Sequence, residues 1–227
     1  MDEPALIAAA QGGDREAFND LVIQYQGIAY NVAYRVLSDA DAASDATQDA
    51  FLSAYRAISQ FRGGSFKAWV LRIVTNACYD QLRGRKRRPT TSLDADPDSD
   101  GGEWDVDPAE RPETYVERQE LGQTIQRGLE TLPVEQRTVV VLSDIQGMRY
   151  DEIARTVGTS VGTVKSRLSR GRRKLCDYLQ ENAELLPARY RLHDGGGQAA
   201  SAMNLIAEWI ADWLGLPLLR RRENKHE

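Results

Sequence analysis

The stretch Ser160-Val161-Gly162-Thr163-Val164-Lys165-Ser166-Arg167-Leu168-Ser169-Arg170-Gly171-Arg172-Arg173-Lys174-Leu175 carries the side chains whose spacing points most clearly to a chemistry. Wound as a helix, it places Val161, Val164, Leu168 and Leu175 on an apolar stripe. Thr163, Ser166, Arg167 and Arg170 lie three or four residues apart and share another face. Lys165, Arg172, Arg173 and Lys174 flank that face, and no acid interrupts the stretch. Arginine matches the guanine edge in the major groove, and flanking cations neutralise phosphates. The residues expected to meet a DNA duplex are therefore Thr163, Lys165, Ser166, Arg167, Arg170, Arg173 and Lys174. A basic run alone is more often a solvated surface, so the case depends on the elements that hold this one.

Those elements precede it. Asp151-Glu152-Ile153-Ala154-Arg155-Thr156-Val157 reads as a short helix. Ile153, Ala154 and Val157 face inward, and Asp151 and Glu152 sit in the first turn, where the helix dipole favours negative charge. Gly158 permits the left-handed turn that ends it, and Thr159 or Ser160 can cap the helix that follows. A helix, a glycine turn and a capped basic helix make a helix-turn-helix.

Two further constellations stand in the first part of the chain. Phe18, Leu21, Val22, Tyr25, Ala29, Val32, Ala33 and Val36 keep the spacing of one long amphipathic helix, with Gly12-Gly13-Asp14 as the turn and cap before it. Residues 39–41 break that helix, and a second runs from about Ala42 to Ile58. Phe51, Ala54, Tyr55 and Ile58 are expected on its core face. Asp45, Gln48, Asp49 and Leu52 fall on a different face, suited to a basic partner, although composition alone favours an ordinary solvated face. Phe61-Arg62-Gly63-Gly64-Ser65-Phe66 then forms a glycine loop, and Trp69, Val70, Ile73, Val74 and Ala77 continue a third helix. Aromatic rings beside such a loop, with Arg62, Lys67, Arg72 and Asn76 nearby, suit unstacked bases. Trp69 is expected in the core, while Phe61 and Phe66 stay open between core and base contact.

Bulk properties bound the alternatives. At 227 residues, with 41% hydrophobic and 28% charged residues, the chain reads as two small soluble domains. Its net charge of −5 does not mark a nucleic-acid binder, but the charge is segregated. Arg83, Arg85, Lys86, Arg87 and Arg88 form one basic cluster, and the helix-turn-helix carries another. Between them, residues 89–112 hold Asp94, Asp96, Asp98, Asp100, Glu103, Asp105 and Asp107 among Pro, Ser and Gly, which reads as a flexible linker. The two cysteines, Cys78 and Cys176, have no neighbours at metal-ligand spacing and read as reduced, semi-buried thiols. No metal site, cofactor or acid–base constellation is expected, nor any signal peptide or membrane span. A cytoplasmic location follows. In the second domain, Leu121, Ile125 and Leu129 give a helix. Leu132-Pro133 starts another, carrying Val139, Val140 and Leu142, and Gly147 ends it.

Taken in order along residues 5–181, these pieces resemble the extracytoplasmic-function sigma factors of bacterial RNA polymerase. The resemblance rests on Gly13-Asp14 with Ala17-Phe18, on Asp45-Ala46-Thr47-Gln48-Asp49-Ala50-Phe51, and on Phe61 through Trp69 to Asn76, Asp80 and Arg83. Farther along it rests on Leu132-Pro133, Gln136-Arg137, Leu142, Tyr150-Asp151-Glu152-Ile153-Ala154 and Gly162-Thr163-Val164-Lys165-Ser166-Arg167-Leu168. It implies an all-α fold with a region 2-like domain over residues 1–88 and the acidic linker over 89–112. A region 4-like helix-turn-helix domain follows over 113–182, and a C-terminal extension over 183–227. It implies that Asp45, Gln48, Asp49 and Leu52 dock on the core polymerase. Phe61, Arg62, Ser65, Phe66, Lys67, Arg72, Asn76 and Arg83 would melt and read the −10 element, and the basic helix would read the −35 element. The partners implied are core RNA polymerase, promoter DNA and an anti-sigma factor. Gly171 stands where the family often has alanine, at a cost of about 1 kcal/mol in a helix.

The function expected is a non-catalytic initiation subunit that gives RNA polymerase its promoter choice. A stand-alone helix-turn-helix regulator is the alternative, and it leaves residues 45–83 unexplained. The C-terminal extension departs from the family. Residues 193–201 read as a glycine- and alanine-rich tether. Met203, Leu205, Ile206, Trp209, Ile210, Trp213, Leu214 and Leu216 then form an apolar helix with Asn204, Glu208 and Asp212 as its polar stripe, closed by Arg220-Arg221-Arg222. Such a face must be covered, by the protein itself, by a partner or by a membrane surface, and the sequence leaves the three open.

Overall fold

The computed structural model describes residues 2–87 and 112–185, and among these every regular element is helical. The acidic linker and the C-terminal extension lie outside the described residues.

The N-terminal helices are set by their caps. Helix α1 (Glu3–Gln11) begins at Asp2, whose carboxylate accepts from the Ala5 N–H at 3.2 Å. Helix α2 (Arg15–Leu37) begins at Asp14, which accepts from Glu16 and Ala17 at 2.9 and 3.2 Å. It ends at Ser38, which takes the left-handed conformation at φ 56°. Helix α3 (Ala40–Ala57) starts at Asp39, which accepts from the Ala42 N–H at 2.8 Å. Each such cap contributes about 1 kcal/mol. Asp39 also accepts from Arg85 at 2.6 Å, which ties the start of α3 to the end of helix α4 (Phe66–Arg87). Burial alone would raise the Asp39 pKa, but the Ala42 N–H and the Arg85 guanidinium outweigh it and hold the carboxyl below its usual range.

The expected core face of α3 is corrected. Its buried residues are Ala42, Ala43, Ala46, Ala50 and Ala54, followed by Ile58 just beyond its end. Phe51 is half-buried, and Tyr55 is 40% exposed with its ring edge-on to Phe18 at 5.1 Å. The reason is packing distance. A stripe of methyl groups lets α3 lie close against α2, whose Ala29, Val32, Ala33 and Val36 are fully buried. Large apolar side chains on that face would hold the helices apart.

Helix α1 has no counterpart in the expected elements, yet it positions the loop before α4. Leu6 and Ala10 are buried, and Gln11 at its end donates to the carbonyls of Ile58 (3.1 Å) and Phe61 (2.9 Å). Gly63 and Gly64 then turn the chain at φ 90° and 91°, a conformation that other residues adopt only with strain. The Ser65 hydroxyl accepts from the Ala68 N–H at 3.1 Å and caps α4. Cys78 lies in the buried stripe of α4, and burial pushes its thiol up to about 12. We expect iodoacetamide at pH 8 to leave Cys78 unmodified in the folded protein and to modify it once the protein is unfolded in urea. Equal modification in the two states, followed by mass spectrometry, would contradict this packing.

The second half continues with α5 (Pro112–Glu130), α6 (Val134–Val140), a π-helical turn (Val141–Ile145), α7 (Tyr150–Thr156) and α8 (Val161–Glu181). The chain forms two compact units, Met1–Asp105 with Met148–Lys165 and Val106–Gly147 with Ser166–Glu227. Within the second unit, Arg137 is buried and donates to the Glu130 carbonyl at 2.9 Å, closing the end of α5. Leu121, Ile125 and Leu129 of α5 are buried, as are Val139 and Val140 of α6.

Two glycines explain how α8 packs there. A methyl group on Gly128 would stand 2.6 Å from Leu175 Cδ1, and one on Gly171 would stand 2.8 Å from Val140 Cγ2. The helix cost of Gly171 is therefore offset by the close approach of α6. Val140 is β-branched and cannot swing aside freely. We expect Gly171→Val to destabilise the fold by about 1–3 kcal/mol through overpacking, read as a lower urea midpoint. An unchanged midpoint would contradict the contact.

Candidate nucleic-acid interface

The helix-turn-helix is built as its sequence reads, with one refinement at each end. The Glu152 carboxylate accepts from the Arg149 N–H at 3.0 Å and closes the start of α7. Arg149 and Arg155 both pair with Asp151, at 3.0 and 2.7 Å, on the exposed surface. The hydrogen bond from Arg149, then its charge, hold the Asp151 carboxyl below its usual range. Gly158 turns the chain at φ 64°. Of the two possible caps, Ser160 serves: its Oγ accepts from the Thr163 N–H at 3.1 Å and lies 2.9 Å from the Thr163 hydroxyl.

Helix α8 buries Val164, Leu168, Gly171 and Leu175. Val161, expected on that stripe, is 39% exposed, because it lies in the first turn beside the cap. The surface opposite the stripe is centred on Ser166, Ser169, Arg170 and Arg173, all exposed. Thr163 and Arg167, half-buried, and Lys174, exposed, form one shoulder of it; Lys165 lies on the other side. Arg170 folds along the helix, its Nε donating to the Ser166 carbonyl at 3.2 Å. Arg172 is different. It forms a two-pronged ion pair with Asp144, with Nε to Oδ2 at 2.8 Å, and both side chains are largely covered. That arginine secures α8 rather than lining the cationic face.

On α4, Arg72, Asn76, Asp80 and Arg83 are exposed and recur every three or four residues, so they share one face. Arg83 pairs with Asp80. Arg62 and Ser65 are exposed in the loop before it, and Arg62 reaches the Ser59 carbonyl at 3.4 Å. Lys67 is half-buried, and burial lowers its pKa.

The aromatic residues decide the choice left open for Phe61 and Phe66 and correct the placement expected for Trp69. Phe66 is 2% exposed and Phe61 8%, while Trp69 is only half-buried. The three rings form one cluster with centroids 5.4–5.5 Å apart, and Tyr25 closes it from α2 at 5.3 Å. Tyr25 in turn donates its hydroxyl to Glu3. The phenylalanines are the floor that holds the loop, and neither offers a free face to a base. Of the three rings from the loop and α4, Trp69 is the one that reaches solvent. Nothing in the spacing distinguishes the three, because all lie within one turn and a loop.

On α3, Asp45, Gln48, Asp49 and Leu52 are all exposed, Leu52 at 51%, on the side opposite the alanine stripe. Asp41, Tyr55 and Arg56 extend this surface.

A basic helix-turn-helix, preceded by a helical unit with its own cationic helix and a separate acidic face, defines a DNA-binding protein of transcription. The comparisons with known proteins make the class specific. The family described as Sigma-70 region 2 matches residues 21–88, and that described as Sigma-70, region 4 matches residues 122–175. The chain is 38% identical to the ECF RNA polymerase sigma factor SigE of Mycolicibacterium smegmatis, over 80% of this chain and 70% of that one. Among solved structures it resembles the sigma factor RpoE of Bartonella quintana, crystallised with the anti-sigma factor NepR. There the TM-score is 0.55 at 26% identity, over 71% of this chain and 96% of that one. It also resembles CnrH in complex with the cytosolic domain of CnrY, with a TM-score of 0.56 at 29% identity, over 78% of this chain and 97% of that one. The chain belongs to the extracytoplasmic-function sigma factors, and it is a transcription initiation factor that directs RNA polymerase to promoters. The stand-alone regulator is not favoured, since the region 2 match covers the half that such a regulator does not require.

Proposed function

We propose that this sigma factor divides promoter recognition among three surfaces. Asp45, Gln48, Asp49 and Leu52 dock on the core polymerase. Arg62, Ser65, Lys67, Trp69, Arg72, Asn76 and Arg83 receive and hold the unstacked strand at the −10 element. Thr163, Ser166, Arg167, Arg170, Arg173 and Lys174 meet the −35 duplex, with Lys165 on a flanking phosphate. The observation that carries this reading is the two-sidedness of α3: its inner side is an unbroken alanine stripe, and its outer side keeps two carboxylates and a half-exposed leucine in water. An exposed leucine one turn beyond a pair of acids suits a basic partner with an apolar centre.

Residues 1–88 act as the polymerase-binding and melting domain and residues 113–182 as the upstream reader, with 89–112 as the acidic connection between them. The chemistry of RNA synthesis belongs to the polymerase, and the protein works in the cytoplasm. An anti-sigma factor is a further partner, as in the solved relative from Bartonella quintana. Among the described residues no helix is long and apolar enough to cross a membrane. The test is size-exclusion chromatography with core polymerase, followed by permanganate footprinting on promoter DNA. A one-to-one complex with reactive thymines around the −10 element is expected. An opened promoter whose footprint is unchanged when Trp69 and Asn76 are both replaced by alanine would overturn the assignment on α4.

A further inference from the structure

The α3 surface is more apolar than a solvated helix needs to be. Leu52 and Tyr55 are 51% and 40% exposed on adjoining turns, with Arg56 beside them and Asp45 and Asp49 one to two turns before. Charge therefore changes sign along the face, from acidic at its N-terminal end to basic at its C-terminal end.

The sequence of residues 203–222 is the complement of that face. Trp209 and Trp213 sit in an apolar run at helical spacing, Glu208 and Asp212 lie within it, and Arg220-Arg221-Arg222 follow. Laid antiparallel to α3, such a segment sets its tryptophans on Leu52 and Tyr55, its acids near Arg56 and its arginines near Asp45 and Asp49. Seven residues of α3 separate Asp45 from Leu52, roughly 10 Å along the helix. Eight residues separate Trp213 from Arg221, and although Gly215 and Pro217 interrupt any helix between them, that much chain spans the same distance. Residues 186–202 connect the last described helix to this segment and extend to roughly 50 Å, enough to reach across a small domain. A tethered segment acts at an effective concentration on the order of millimolar, so even weak intrinsic affinity fills the face.

We infer that residues 203–222 dock on the outer face of α3 and compete with core polymerase for it, making the C-terminal extension a built-in inhibitor. This rests on the assignment of α3 as the polymerase-docking surface. Two arms keep the claims separate. In the first, the full-length protein carries benzoylphenylalanine in place of Ser53, an exposed neighbour of Leu52, and is irradiated without polymerase. A crosslink to a peptide from residues 203–222 is expected. Crosslinks only elsewhere, or between molecules, would overturn the inference.

In the second arm, core polymerase is titrated with the parent, with the R220E/R221E/R222E variant, and with a chain ending at Ser201. Both altered forms should bind on the order of tenfold more tightly than the parent. Equal binding by all three, or flotation of the parent with anionic vesicles lost on truncation, would overturn the docked tail while leaving the polymerase assignment intact. A polymerase that ignores all three while the crosslink to residues 203–222 forms would uphold the docked tail and overturn instead the reading of α3 as the polymerase surface.

Discussion

Replacing Asp45 and Asp49 together by arginine abolishes binding to core RNA polymerase, by at least about 100-fold, and leaves the helical fold intact. Both carboxylates lie in water on the outer side of α3, so neither contributes to the alanine stripe that holds α3 against the bundle. The substitutions therefore create neither a cavity nor a buried charge. What changes is the sign of the surface offered to the partner, and like charges brought together across an interface cost several kcal/mol. Native gel shift with core enzyme measures the loss, and far-ultraviolet circular dichroism with a thermal scan confirms the fold. Undiminished binding by a folded variant would remove α3 from the interface. The expected loss is larger than that for either alanine variant, because removal of a charge forfeits attraction whereas reversal adds repulsion.

The second large effect is expected at the upstream element. Arg167→Ala and Arg170→Ala each cost about 1–3 kcal/mol in promoter affinity and relax sequence choice at one position of the −35 element. Arg170 lies on the exposed side of α8 and Arg167, three residues before it, on the half-buried shoulder beside it. Arg170 is already drawn along the helix by the Ser166 carbonyl, which presets part of its conformation and lowers the entropy lost on binding. Lys165→Ala serves as the contrast. From its flanking position it should weaken binding evenly across sequences and reduce the salt slope by about one. Arg172→Ala should behave differently again. It frees the largely covered Asp144 carboxylate and is expected to lower stability by about 1–3 kcal/mol, with no change in sequence preference. Electrophoretic mobility shifts of the holoenzyme on a randomised −35 library, read at two salt concentrations, separate these outcomes. Identical preferences for the parent and the two variants at Arg167 and Arg170 would show that α8 does not read bases through these arginines.

Much of this architecture was legible in local sequence. Asp14 and Asp39 cap α2 and α3 where the turn residues place them, and Gly158 with Ser160 opens α8 as the helix-turn-helix pattern requires. The acidic face of α3 was legible too, because side chains three and four residues apart must share a side. What escaped the sequence depends on distance between helices. Helix α1 is short and alanine-rich, and its buried residues Leu6 and Ala10 are too few to mark a stripe. Large apolar residues mark one side of α3 in the sequence, whereas close packing selects the alanine side as its core. In the sequence Gly171 is a helix defect; in the fold it makes room for Val140. Arg172 read as one more surface cation, because its partner Asp144 lies 28 residues away. The aromatic loop gave the right three rings but not their order of burial, which is fixed by Tyr25 on another helix.

Run-off transcription is the measurement that meets the central claim most directly. Purified core polymerase is supplied with this chain on a promoter library randomised separately in the −10 and −35 elements, and the transcripts are sequenced. The account predicts specific start sites that need the added chain, with enrichment at both elements. It further predicts that enrichment at −35 fades in the Arg167→Ala/Arg170→Ala protein while that at −10 persists. Transcription that is unaffected by the chain, or enrichment of one element only in the parent protein, would contradict it.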